Sequence, residues 1–331
     1  MKVKNKYEKL TYEQYLNTLN KKDLTIILNK YHLEVKKVST KENMVAKILE
    51  NVNSIVDYTI DLFQKDECIN IKYIIKKKGV LKVRINSLLL NFLQNMHRNF
   101  LLIKVDEYNY YMPNEIMASY KRILKRKNIN EIIKKNTVEY ELFLGYVETY
   151  GIVDYKDFYN NYAKDYKLSV DAALERTQNF ADFFNEFMII TKEKSTYLMN
   201  INLDFPKALK KLNNKKIELA KYTNEEIINI HRLDFLKKCK SYRKLLKFVK
   251  RNYEVKNENS KIFNKRILIP YFTARQIDKN MADVMLSALI DKYFEFNNVK
   301  FKNKFIKLIY DVSLDYPRWD LKGNLERNIV C

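Results

Sequence analysis

FLLIKVDEYNYYM spans Phe100–Met112, and FMIITKEKSTYLM spans Phe187–Met199. Each is 13 residues long, opens Phe-apolar-apolar-Ile, turns on polar residues and closes Tyr-apolar-Met. Apolar runs flanking a polar centre predict a β-hairpin. What precedes each hairpin matches as well. A helical segment from about Cys68 ends at Gly79 and is followed by Val80-Leu81; another, ELFLGYVETY, ends at Gly151 and is followed by Ile152-Val153. Glycine just past a helix supplies the left-handed C-cap. Helix, glycine stop, short strand, more helix and a closing hairpin is the order of a winged-helix unit, and the chain carries it twice.

The two units are unequal. Their glycines lie 72 residues apart and their hairpins 87. The first unit has one helix between strand and hairpin. This is RINSLLLNFLQNMH from Arg84, whose Ile85, Leu88, Leu89, Phe92, Leu93 and Met96 fall at helical spacing. The second unit has two, about Tyr155–Tyr166 and Ser169–Phe184. The first is therefore an abbreviated unit with a shortened helix-turn-helix.

Around these units the chain reads as mainly α and multi-domain. Residues 1–52 form a small helical module, with capping-box spacing at Thr11/Gln14 and Ser39/Glu42. Residues 53–117 form the abbreviated winged-helix unit, 118–136 a basic, solvated helical linker, and 137–203 the second winged-helix unit. Residues 204–331 form a basic all-helical domain. There the expected helices are about 224–230, 233–238, 241–252, 274–296 (started by Thr273/Gln276) and 300–315, the last stopped by Pro317.

The run from Asp23 to Leu49 resembles the SAP or Rho N-terminal helix-loop-helix, a small module that often touches nucleic acid. The glycine usual in that loop is replaced by Val38-Ser39. Three further stretches are YNYYMPNEI (108–116), YELFLGYVETYGIVDYKDFYNNY (140–162) and LIYDVSLDYPRWDLKGN (308–324). Through them, about two thirds of the chain resembles a poorly characterised family of low-GC Gram-positive bacteria. Some of its members continue into a SEC-C metal-binding tail. This chain lacks that Cys-rich tail, so no metal role is carried over. The resemblance implies the fold and no reaction.

Composition narrows the function. Among 331 residues, 62 Lys plus Arg stand against 40 acids, a net charge of +22. AT-rich coding raises Lys, Asn, Ile and Tyr together, but it does not require so few acids. Sustained positive charge favours polyanions, chiefly nucleic acid. Only four glycines occur, which excludes a Gly-rich phosphate loop. No apolar run has the length of a membrane span, and MKVKNKYEKLTYEQY has no apolar stretch of the signal-peptide kind, so a cytoplasmic protein is expected. Cys68, Cys239 and Cys331 are far apart, match no metal spacing and fit free thiols in a reducing compartment. No cofactor is expected.

No catalytic constellation stands out. His32, His97 and His231 are scattered; Asp66-Glu67 and Glu225-Glu226 are adjacent residues that diverge on a helix, and Asp106-Glu107 fits a hairpin turn. The basic segments carry the stronger signal. KYIIKKKGVLKVR (72–84) has six cations and no acid, and residues 207–251 hold 15 Lys or Arg against four acids. The expected phosphate contacts are Lys76, Lys77, Lys78, Lys82 and Arg84 in the first segment. In the second they are Lys237, Lys238, Lys240, Arg243, Lys244, Lys247, Lys250 and Arg251. Asn91 and Asn95 on the 84–97 helix are candidates for reading adenine edges. The helix from Ser169 shows Asp171, Glu175 and Asp182, which suit a protein contact better than DNA. The leading expectation is a non-enzymatic nucleic-acid-binding protein, DNA favoured over RNA, with a regulatory role. The alternatives are a protein-interaction scaffold using the second winged-helix unit and, less favoured, a metal-dependent nuclease.

Overall fold

Gly79 and Gly151 set the pattern of the fold. Each follows a helix with positive φ, +81° and +73°, a conformation that costs any residue with a Cβ. Each then feeds a short strand whose ladder partner closes a hairpin. The computed structural model describes residues 10–34, 40–83, 88–213, 216–252, 263–296 and 298–329. Over these the protein is mainly helical, with two small three-stranded antiparallel sheets. It divides into two units, Met1–Tyr140 and Glu141–Cys331.

The first unit begins with α1 (Tyr12–Thr18), α2 (Lys21–Lys30), α3 (Lys41–Glu50), α4 (Val52–Ile60) and α5 (Lys65–Lys76). Next come β1 (Val80–Lys82), α6 (Leu88–Arg98), β2 (Ile103–Lys104), β3 (Asn109–Tyr111), α7 (Asn114–Ile123) and the first part of α8 (Ile129–Tyr150). Thr11 caps α1 through the capping box. At α3 the cap is Thr40, whose hydroxyl accepts from the Asn43 N–H, so the Ser39/Glu42 spacing marked the start one residue early. The N-terminal helices belong to the same unit as the first sheet: the Tyr31 hydroxyl donates to the Asn99 carbonyl, and the Tyr12 N–H donates to Glu115.

The linker reading of 118–136 needs correction. Tyr120, Ile123, Ile129, Ile133 and Asn136 are buried. Tyr120 stacks on Phe63 and shares a 2.8 Å hydrogen bond with Thr59, and the Asn136 amide donates to the carbonyls of Ile60 and Phe63. Net charge along the segment hid an apolar face that α4 and the α4–α5 turn need.

The second unit takes α8 onward through β4 (Ile152–Asp154), α9 (Tyr155–Tyr166), α10 (Val170–Phe184), β5 (Phe187–Lys192), β6 (Ser195–Asn200) and α11 (Phe205–Leu212). Then follow α12 (Asn224–His231), a 3-10 turn (Asp234–Lys238), α13 (Lys240–Asn252), α14 (Ile269–Ile277), α15 (Lys279–Tyr293), α16 (Val299–Ser313) and the short α17 (Glu326–Ile329). The helix expected over 274–296 is two. Thr273 lies inside α14, and Asp278 caps α15 by accepting from the N–H groups of Asn280 and Met281.

The sheets share one plan. In each the glycine-led strand pairs with the last strand, giving orders β1-β3-β2 and β4-β6-β5. Val80 and Ile103 both face Tyr111, while Ile152 and Met188 both face Met199. The Gly79 carbonyl accepts from Met112 N–H at 3.0 Å, and that of Gly151 from Asn200 N–H at 2.8 Å. Met112 thus stands where Asn200 does, not where Met199 does, and the repeat holds in the ladders with a one-residue offset from the textual match.

Besides a small set of Ile152, Met199 and Ala208, two larger sets of buried residues pack the second unit. One gathers Phe158, Phe180 and Phe187 around Phe143, ring centroids 5.3–5.8 Å away. The other joins α12 to α16 through Leu236, Leu245, Phe248, Leu268, Leu286, Phe305 and Ile309. A clasp formed by residues 315–327 closes this unit. The Trp319 indole N–H donates to the Glu148 carbonyl (2.8 Å), and its backbone N–H to Gln276 (2.9 Å). Glu326 pairs with Arg275, Lys279 and Arg318.

Candidate nucleic-acid interface

α13 is the residue-level centre of the candidate site. Its sequence, KSYRKLLKFVKRN, has no acid. Successive residues turn by about 100°, so Lys240, Arg243, Lys244, Lys247, Lys250 and Arg251 fall within an arc of about 120°. All six are exposed. Ser241, Tyr242, Leu245, Phe248 and Val249 take the opposite side and are buried. The apolar period holds the helix in the core, and the same period gathers the cations outward. Apart from Arg243, which reaches the Lys238 carbonyl at 3.4 Å, no ion pair or hydrogen bond engages these six side chains among the described residues. Lys237 and Lys238, on the preceding 3-10 turn, are also exposed, but Lys237 pairs with Asp234.

The first unit's basic residues have a more local explanation. Lys76, Lys77 and Lys78 stand exposed at the C-terminal end of α5, where cations complement the helix dipole. Lys77 lies 5.7 Å from the Tyr73 ring centre. Lys82 is exposed on β1 beside Asp106. The Asn109 side-chain amide, backbone N–H groups and Lys82 hold that carboxyl below its usual range. Arg84 lies outside the described residues, as does the basic loop at 35–39. On α6, Asn91 and Gln94 are exposed. Asn95 is 8% exposed, its carboxamide oxygen accepts from Arg98 and its carbonyl from Asn99. It is turned inward and cannot meet a base edge in this conformation.

Sequence reasoning passed over α16. Lys300, Lys304 and Lys307 are exposed there at i, i+4 and i+7, a stripe that ends one turn on at Asp311. The helix packs on α13 through Phe248, whose ring lies 4.7 Å from Phe301 and 5.6 Å from Phe305. The Lys304 ammonium lies 5.8 Å from the centre of the Phe248 ring. Phe248 adjoins Lys244 and Arg251 on the helix surface, so the two cationic stripes border each other. The spacing was legible, but apolar residues and an Asp291-paired Lys302 dilute the segment's charge.

Other clusters point away from phosphate. On α10, Asp171, Glu175 and Asp182 are exposed on one face, and Gln178 donates to Asp182. A cleft of about 750 Å³ between α9 and the start of α12 is lined by Tyr146, Tyr150, Asp157, Asp165 and Glu225, among others. Burial, with Asp154 beside it, pushes the Asp157 carboxyl up. Among the described residues no group of three or more His, Cys, Asp or Glu is placed to hold a metal ion. Cys68 is buried, and burial, reinforced by Glu67, pushes its thiol up to about 12. No helix among the described residues is long and apolar enough to cross a membrane.

No protein-family model matches the chain. No solved structure matches it. The chain is similar to the phenylalanine–tRNA ligase beta subunit of Mycoplasma mycoides subsp. mycoides SC, at 24% identity over 97% of its own length. It spans about two fifths of that relative, 39% of its length.

Proposed function

We propose that the chain is a nucleic-acid-binding protein with no reaction centre of its own, and that α13 grips the phosphate backbone. The observation that carries this reading is the acid-free arc of six exposed cations on one helix. Phosphates carry no sequence information, so binding is salt-sensitive and weakly sequence-specific. The two helix–strand–helix–hairpin units serve as winged-helix scaffolds, and a regulatory task suits a binder of this kind. Similarity to a ligase subunit named for tRNA favours RNA as the ligand. Neither the arc nor that name supports the preference for DNA in the sequence reading.

The test is binding of the purified chain to labelled RNA and DNA across a salt series. We expect binding to survive about 150 mM salt with a log–log slope of several phosphates. Reversing charge at Lys244 and Lys247 (K244E/K247E) should weaken it at least about tenfold, because each replacement turns a phosphate contact into a repulsion. Loss of all binding by wild type near that salt defeats the reading.

A second reading, a protein-contact scaffold, is supported by the acidic face of α10. It predicts that charge removal at Asp171, Glu175 and Asp182 abolishes capture of a basic partner and leaves nucleic-acid binding unchanged.

A further inference from the structure

Which form of nucleic acid fits this surface follows from where the aromatic side chains went. A single-strand binder interleaves cations with exposed aromatic rings on which bases stack. In the second unit's basic segment the rings turn inward: Tyr242 is 2% exposed and Phe248 8%, and Phe235 and Tyr222 are half-buried against the same core. Among the described residues of that segment, what remains outside is charge without an exposed ring, and on α16 the exposed Tyr310 ring is already engaged by the Arg275 guanidinium, 5.0 Å from its centre.

The charge stands in two rails rather than one. Lys240 to Arg251 covers about 16 Å along α13. Lys300, Lys304 and Lys307 run along α16, which is packed against α13. Packed helices lie about 8–10 Å apart. Two parallel lines of phosphate at a comparable separation occur where two strands flank a narrow groove, as in the minor groove of B-form DNA or the deep groove of A-form RNA. A lone strand offers one line.

Resting on the reading of α13 as a phosphate-binding helix, we infer that the α13–α16 face takes a double helix across a narrow groove, with Lys300, Lys304 and Lys307 holding the second strand. The face reads backbone geometry. It discriminates duplex from single strand, not one sequence from another.

The experiment uses the full chain against four ligands of equal length: duplex RNA, duplex DNA and one single strand of each. Wild type is compared with K300Q/K304Q/K307Q and with K244Q/K247Q in a salt series. The expected result is at least about tenfold tighter binding to a duplex than to its own single strand. In the α16 variant the duplex salt slope should fall by about 2–3, one per lysine removed, with the single-strand slope unchanged. The duplex bound more tightly, RNA or DNA, names the source. Equal affinity for duplex and single strand, or an α16 variant indistinguishable from wild type, overturns the inference. If K244Q/K247Q still weakens binding in that case, the α13 reading stands without it. If wild type binds none of the four near 150 mM salt, both fall.

Discussion

At the scale of single residues, Gly151 and His231 carry the clearest consequences. A Cβ at Gly151 would lie 2.7 Å from the Trp319 ring and 2.9 Å from a Leu203 methyl, at a φ of +73°. Replacement by alanine meets both backbone strain and a ring fixed by hydrogen bonds. G151A should cost about 2–4 kcal/mol in a urea titration. A loss below about 0.5 kcal/mol, the range of a neutral surface change, would show that the clasp yields. His231 sits with its Nδ1 3.0 Å from Glu148. Burial by itself pushes the imidazole down. The Glu148 carboxylate, aided by Glu141 and Glu186, outweighs that and leaves it above its ordinary 6.5. A pKa raised in the folded state gives stability that is complete below the unfolded value and is lost as pH rises through the folded one. The melting temperature of wild type relative to H231Q should therefore be highest below about pH 6 and decline above about 6.5. A difference that stays constant from pH 5.5 to 8.5 rules out the linkage.

Elements show what the sequence made legible. The Thr11 capping box forms as its spacing implies, and Thr223 with Glu226 forms another at α12. The same spacing misleads at Ser39 and Thr273. A count of residues cannot see a competing neighbour: Thr40 offers the same hydroxyl one position on, and Asp278 is the cap that α15 uses. Gln276, the supposed partner of Thr273, instead donates to the Pro317 carbonyl and accepts from Trp319, a long-range contact that no local pattern announces. Hairpin order was readable, while register was not, because Tyr-apolar-Met recurs whether or not the ladder is offset. At the candidate site the α13 arc could be read from period alone. The inward turn of Asn95 could not, since Asn91, Gln94 and Asn95 look alike on a helical wheel. A direct check at this scale is T223A. Losing the hydroxyl that accepts from the Glu226 N–H should destabilise the chain by about 1 kcal/mol, read from the urea midpoint at unchanged slope. An unchanged midpoint would mean that α12 is not anchored by its cap.

At the scale of the whole molecule, a net charge of +22 pointed to a polyanion but did not say which of several basic segments meets it. Burial sorted them: the linker's cations border a buried face, those after α5 complement a helix end, and the α13 arc is left without a structural task. The division into two units has its own test. The single tryptophan, Trp319, lies in the second unit, whereas helices occupy both. Each unit has its own buried residues, so tryptophan fluorescence and far-ultraviolet circular dichroism should give urea transitions that do not coincide. Superimposable curves would show one cooperative body. The clasp adds a matter of timing. Trp319 donates to a carbonyl 171 residues earlier in the chain. At about 5–20 residues per second, a ribosome needs roughly 10–30 s to travel from Glu148 to its partner. Throughout that interval Gly151 and Leu203 lack the ring that packs on them, and a chain released before Trp319 is made leaves that contact to water.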